Sequence, residues 1–273
     1  MKRILSIVLI AFLVLLQYAC STKDEEQKTG VVRDSLEYKP VNINRSYGDC
    51  ADESSNCVSV DISYPEFISQ DRDSIVTSIN SYIQQSLLYY SYGEVTPTTI
   101  DELIQQMIND YKNQQEEFPD YTIGWKESNK ISVVFNKEGI LSLEFFEFEF
   151  MGGAHPNTTV AYENFNTNTG SKIVYSDIFV DGYESTLNKI AEKEFRSVRN
   201  IAPDANLDSL GFWFNKNKFE LTENFAITDS GLIFFYNNYE IAPYAWGSTK
   251  IELSYASIKD IIKPDGILNR IIN

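Results

Sequence analysis

Histidine is nearly missing from this chain. A single imidazole, His155, serves 273 residues, so a metal centre built on several histidines is excluded. Cysteine is scarce too, and its three copies are Cys20, Cys50 and Cys57. A closed zinc site needs about four ligands, and no spacing links His155 to the cysteines, so neither a metal nor a cofactor is expected. Basic residues are the third deficit: 23 Lys and Arg face 39 Asp and Glu, a net charge of -16. Such a field repels phosphate backbones, which excludes nucleic acid as a partner and favours solubility or encounter with cationic proteins.

What is present begins at the N-terminus. Lys2 and Arg3 precede an apolar run from Ile4 to Leu16, and Ala19 stands before Cys20. That run falls short of the ~20 residues of a spanning helix and has the layout of a removable export signal with a lipid-accepting cysteine behind it. Residues 1–19 are therefore expected to be a signal peptide, Cys20 to be lipidated, and residues 20–48 to be a polar tether. Gln17, where such signals usually carry Leu, leaves plain secretion as the alternative. Removal of residues 1–19 takes away two basic residues and leaves 21 against 39 acidic ones, a charge of -18. The Lys23-Asp24-Glu25-Glu26 run resembles a surface-export tag of Bacteroidota, so the expected location is the outer membrane, at the cell surface or on its periplasmic face. With Cys20 consumed by lipid, Cys50 and Cys57 remain as a pair, and a disulfide is expected in their turn-forming surroundings.

Periodicity defines the body. Val58 to Tyr64 alternate as a strand ended by Pro65, and residues 72–91 and 98 onward carry helical apolar stripes, the second opened by a Thr98–Asp101 capping box. Strands follow at 121–125, 131–135 and 140–151, with polar turns at Ser128-Asn129 and Lys137-Glu138-Gly139. In the last of these, Leu141, Leu143 and Phe145 share one face and Phe146, Phe148 and Phe150 the other. Such a switch predicts a bulge or a crossing between sheets at Phe145-Phe146. Glu144, Glu147 and Glu149 then read as a solvated strand face. Strands at 158–165, 219–227, 232–236 and 250–254 and a helix at 183–198 complete an α+β fold. Antiparallel sheets with helices packed on one face, in two lobes, are the expected architecture.

The segments Gly152-Gly153-Ala154-His155-Pro156, Asn164-Phe165-Asn166, Asn224-Phe225-Ala226-Ile227 and Tyr239-Glu240-Ile241-Ala242-Pro243-Tyr244-Ala245-Trp246-Gly247 resemble the RsiV-type extracellular domain of lysozyme-sensing bacterial proteins. Residues 57–150 resemble the module that precedes the catalytic domain in PdaC-type peptidoglycan deacetylases. The domain boundaries that follow are 49–150 and 151–273. The resemblance implies an extracytoplasmic binding module for a basic, lysozyme-like protein or an envelope glycan, membrane-held through its lipid. A chain with one histidine cannot build the deacetylase metal site, so no catalytic residue and no enzymatic activity are expected. The alternatives are an envelope glycan hydrolase working through carboxylates alone and a purely structural lipoprotein.

Candidate binding residues are few. Pro243, Tyr244 and Trp246 bring amphipathic aromatic surface between a proline and a glycine. Histidine as a residue type suits general-base work, yet no nucleophile or orienting carboxylate stands at a diagnostic spacing from His155, and a hydrogen-bonded turn residue is expected. Asp204, Asn206 and Asp208 imitate the opening of a calcium loop, but Ser209 replaces the required glycine and Asn215 the bidentate glutamate. That segment reads as a surface loop.

Overall fold

The computed structural model describes residues 35–50, 56–69, 71–88 and 96–272; Cys20, the signal peptide and the first part of the tether lie outside them. Among the described residues no helix is long and apolar enough to cross a membrane.

Alternation of Val58, Val60 and Ile62 against polar neighbours drives β2 (Cys57–Ile68), and β1 (Glu37–Gly48) pairs with it antiparallel over its whole length. The expected tether therefore ends by residue 36, since residues 37–48 are an edge strand. A disulfide joins Cys50 to Cys57, as expected. Two helices follow. α1 (Asp73–Ser86) buries Val76, Ile79 and Ile83, and α2 (Ile100–Glu117) buries Leu103, Ile104, Met107, Ile108 and Tyr111. The cap of α2 sits one residue later than expected: Thr99 accepts from Glu102 N at 3.1 Å, while Glu102 reaches back to Thr98 N at 2.8 Å.

The two helices form the crossover that lets β3 (Trp125–Lys137) lie parallel to β2. This departs from the all-antiparallel expectation, because a helical connection is what makes a parallel pair reachable. β4 (Ile140–Phe150) and β5 (Asn157–Asn166) continue antiparallel, giving a five-stranded sheet in chain order. Ser128-Asn129, expected as a turn, lies in the middle of β3. The expected slip in β4 is also relocated. Its pairing with β5 is unbroken from Ile140 to Glu149, and the irregularity falls in β3, between Val133 and Phe135.

That extra residue turns Phe135 to the opposite face from Ile131 and Val133. One sheet consequently serves two cores. α1, α2, Trp125, Ile131, Leu141 and Leu143 make the first; Phe135 and Ile140 join the second with α3 (Glu184–Val198) and the three-stranded sheet of β6 (Phe225–Ile227), β7 (Gly231–Tyr236) and β8 (Thr249–Ser254). The two expected lobes are thus two cores sharing β3 and β4.

Asparagine amides hold the second sheet to the first. Asn224 Oδ1 accepts from Tyr162 N and its Nδ2 donates to Val160 O and Phe235 O, while Asn237 accepts from Val160 N. Buried Asn164 donates to Phe225 O and accepts from Ile227 N and Ser142 Oγ. An amide side chain carries the same donor and acceptor as a peptide group, so these residues complete the edge of β5 where no sixth strand runs.

Candidate functional site

Of the expected binding residues, the structure brings His155 and Tyr244 into contact. Their rings stack at 3.9 Å between centroids and 17° between planes. Gly152 makes the turn that delivers His155: its φ is +87°, and a Cβ there would fall 2.1 Å from Tyr121 Oη. His155 Nδ1 lies 3.1 Å from Pro156 O and Nε2 lies 3.2 Å from Tyr239 Oη. A carbonyl only accepts, so Nδ1 carries a hydrogen, and in the neutral ring Nε2 then accepts from Tyr239. His155 is therefore the hydrogen-bonded turn residue expected, and it is exposed.

Sequence reasoning missed Tyr239, which is 53% exposed and holds φ at +65°, a conformation costly for a bulky residue. It also missed Trp213, 54% exposed, whose backbone N donates to Ile241 O. Pro243 opens the 3-10 turn Tyr244–Trp246, and Trp246, 45% exposed, rests against Phe212 at 5.5 Å. Arg199 at the end of α3 fastens this loop. Its guanidinium donates to Trp246 O, Gly247 O and Ser248 O at 2.8 to 3.1 Å, and burial pulls its pKa down.

A second constellation lies on the helix-covered face of the large sheet. Glu127 of β3 stands opposite Glu149 of β4, and Asn129 opposite Glu147. Side-chain oxygens of the three glutamates fall within 4.8 Å of one another. Glu127 is 6% exposed, with Oε1 accepting from Asn129 Nδ2 at 2.7 Å and Oε2 left without a partner. Burial first, and the charges of Glu147 and Glu149 next, push its carboxyl up to about 8; burial and Glu149 raise Glu147 as well.

These glutamates correct the solvated-face reading. Glu147 and Glu149 are half-buried on the side of Leu141, Leu143 and Phe145, while Glu144 points to the other face and accepts from Tyr162 Oη at 3.0 Å. A cleft of about 170 Å³ runs from Asn129 and Glu147 to Tyr82 and Glu163. At its far end Tyr82 Oη donates to Glu163 at 2.5 Å and Lys172 Nζ donates to the same carboxylate at 2.7 Å. Among the described residues Asp204 and Asp208 join no group of three or more His, Cys, Asp or Glu side chains, and Asn206 Oδ1 accepts from Ser209 N in a local turn.

The fold and these clusters define an α+β protein whose single large sheet carries carboxylates on one side and, beyond its β4–β5 turn, an exposed aromatic loop system. Comparison with known proteins places two family matches on it: residues 51–158 match the deacetylase PdaC family and residues 176–256 match DUF3298, a family of proteins of unknown function. A peptidoglycan-N-acetylmuramic acid deacetylase PdaC of Bacillus subtilis is 27% identical over 146 residues, 53% of this chain and 28% of that protein. An esterase of Mycobacterium tuberculosis is 28% identical over 117 residues, covering 41% and 47%. The chain spans less than half the length of either relative.

Among solved structures, a DUF3298-family protein of Bacteroides fragilis superposes with a TM-score of 0.69 at 19% identity, covering 88% of this chain and 99% of that one. One from Pseudomonas aeruginosa gives 0.59 at 19% identity over 84% and 95%. Both show the fold. A PdaC-like domain followed by a DUF3298 domain points to an extracellular, envelope-associated protein. The expectation that the chain has no enzymatic activity is overturned by the relatives, two of which are named as a deacetylase and an esterase.

Proposed function

We propose that this protein recognises an envelope glycan through the exposed rings around His155, Tyr239, Tyr244 and Trp246, held at the outer membrane by lipid on Cys20. One observation carries the reading: the hydrogen-bonded stack of His155 on Tyr244 stands at the surface and not in a core, and Arg199 fastens the carbonyls of Trp246, Gly247 and Ser248 that follow Tyr244. Aromatic faces pinned in this way offer flat apolar surface at little entropic cost, as sugar rings require. Sedimentation with insoluble peptidoglycan tests it. Wild-type protein is expected to co-sediment and Tyr244→Ala with Trp246→Ala to lose about tenfold or more in affinity, a little over 1.4 kcal/mol. Equal binding by wild type and double variant would end the reading.

The acidic charge and the RsiV-type resemblance support a basic lysozyme as partner instead. In that case capture should be strong at low salt, fade at high salt, and ignore the ring substitutions. The names of the relatives favour an enzymatic variant of the glycan reading, removal of acyl groups from the bound sugar. Acetate released from acetylated peptidoglycan by the purified protein, and lost in Glu147→Gln, would carry it.

A further inference from the structure

We propose that Glu127, Glu147 and Glu149 form a binding site for a hard divalent cation of the calcium type. Trp125, Glu127, Asn129, Ile131 and Val133 share the face of β3 that packs beneath the helices, and the neighbouring β2 presents Val58, Val60 and Ile62 there, all buried. Period-2 alternation demands an apolar residue at 127, and the chain supplies a carboxylate. Burying it unpaired is costly. Among the described residues no Lys or Arg repays that cost in an ion pair with Glu127, whose Oε2 is left without a partner. Instead two further carboxylates are added to it, Glu149 directly across the β3–β4 ladder and Glu147 two residues earlier, with oxygens gathered inside 4.8 Å.

Carboxylates crowded on one another repel unless protons or a cation lie between them. The cluster has what a cation needs. Glu127 Oε2 is buried and without a partner, and Asn129 orients the carboxyl by donating to Oε1. The cleft beside Glu147 gives water access to complete the coordination. An all-oxygen set with no histidine or thiolate selects calcium or magnesium over zinc and copper, and three flexible carboxylates suit the larger ion's variable six to eight ligands.

The test uses the purified soluble chain, with calcium alone and with terbium as luminescent probe. Binding of 10 mM calcium is expected to raise the melting temperature by about 5 °C or more over a chelator control, for a site of roughly 10⁻⁴ M affinity. Terbium should be sensitised by the buried Trp125 two residues from Glu127, and calcium should displace it. Glu147→Gln and Glu149→Gln are expected to weaken terbium at least tenfold each, while Glu144→Gln, on the opposite face, binds as wild type. The proposal fails if calcium leaves the melting temperature unchanged, if sodium chloride of equal ionic strength reproduces the shift, or if the Glu147→Gln/Glu149→Gln double variant responds as wild type does. Peptidoglycan sedimentation in the same variants separates this outcome from the glycan reading, which predicts binding unaffected by loss of the cation.

Discussion

At the scale of single residues, Glu127 sets the protein's response to pH. Its carboxyl is held near 8 in the folded chain, mainly by burial, and titrates near 4.3 when unfolded. Between those values the native state keeps a proton that the unfolded chain has lost, so the stability tied to that proton is fully present below about 4.3 and disappears as pH climbs to about 8. With chelator present, urea unfolding should show the wild type losing on the order of 3 to 5 kcal/mol from pH 4.5 to 8.5 through this group. Glu147 adds in the same direction. Glu127→Gln should flatten most of that slope and leave the protein more stable than wild type at pH 8.5. An unchanged slope would mean that the carboxyl ionises freely in the fold. Arg199 is the second residue with a readable role. Four neighbours accept from it, the carbonyls of Trp246, Gly247 and Ser248 and the hydroxyl of Thr249. Arg199→Ala should cost about 2 kcal/mol in thermal or urea unfolding, and weaken peptidoglycan binding together with it, because the Tyr244–Trp246 turn is no longer fastened. Loss of stability with binding untouched would detach the loop's order from recognition.

At the scale of elements, the asparagine seam explains why two sheets behave as one structure. Asn224→Ala would take its amide away from Tyr162 N and Phe235 O, while Val160 O keeps the amide of Asn237, and each part-buried peptide group that loses a partner carries a penalty. A loss of about 2 to 4 kcal/mol in urea unfolding is expected, against less than ~1 kcal/mol for the exposed Asn168→Ala. The seam also marks what the sequence discloses. Helical stripes such as Ile75-Ile79-Ile83 and Leu103-Met107 predict α1 and α2 because a 3.6-residue period admits no other reading, and the strand alternation of β2 and β8 is as plain. β3 was not legible as one strand. Ser128 and Asn129 carry turn chemistry locally, and only the carboxylates of the partner strand explain why Glu127 and Asn129 stand in β3 facing the core. The carboxylate site was half visible for the same reason: Glu147 and Glu149 stood out as alternating charges, but their burial depends on β3 and the helices, and Glu127 lies twenty residues away in sequence. Likewise the bulge was inferred from the face switch in β4, while the residue that accommodates it is Val134 in the neighbouring strand. His155, Tyr244 and Trp246 could be picked from composition; Arg199 behind them could not, since nothing local ties position 199 to position 247.

At the scale of the whole molecule, the sharing of β3 and β4 decides whether the halves are independent. The boundary expected at residues 150/151 lies between two strands that pair along nearly their full length, Ile140 with Asn166 through Glu149 with Asn157. A chain cut there leaves β4 with an exposed edge in one fragment. It also deprives the second core of Phe135 and Ile140, 3% and 0% exposed in the intact protein. The other fragment would carry β5 without a partner strand and Asn164 without Ser142. Burial of two large apolar side chains alone is worth roughly 3 to 6 kcal/mol, comparable with the whole margin of about 5 to 15 kcal/mol that keeps a domain folded. Fragments 49–150 and 151–273 made separately should therefore lack cooperative unfolding and near-ultraviolet dichroism, and residues 35–273 should melt in one transition with calorimetric and van't Hoff enthalpies equal. Two separate transitions, or a folded 151–273 fragment, would show that the boundary expected at residues 150/151 is also a folding boundary. The distinction bears on function, because a cooperative unit lets a cation on the helix side of the sheet stabilise the aromatic loop beyond the β4–β5 turn, whereas two independent units would leave each site to its own stability.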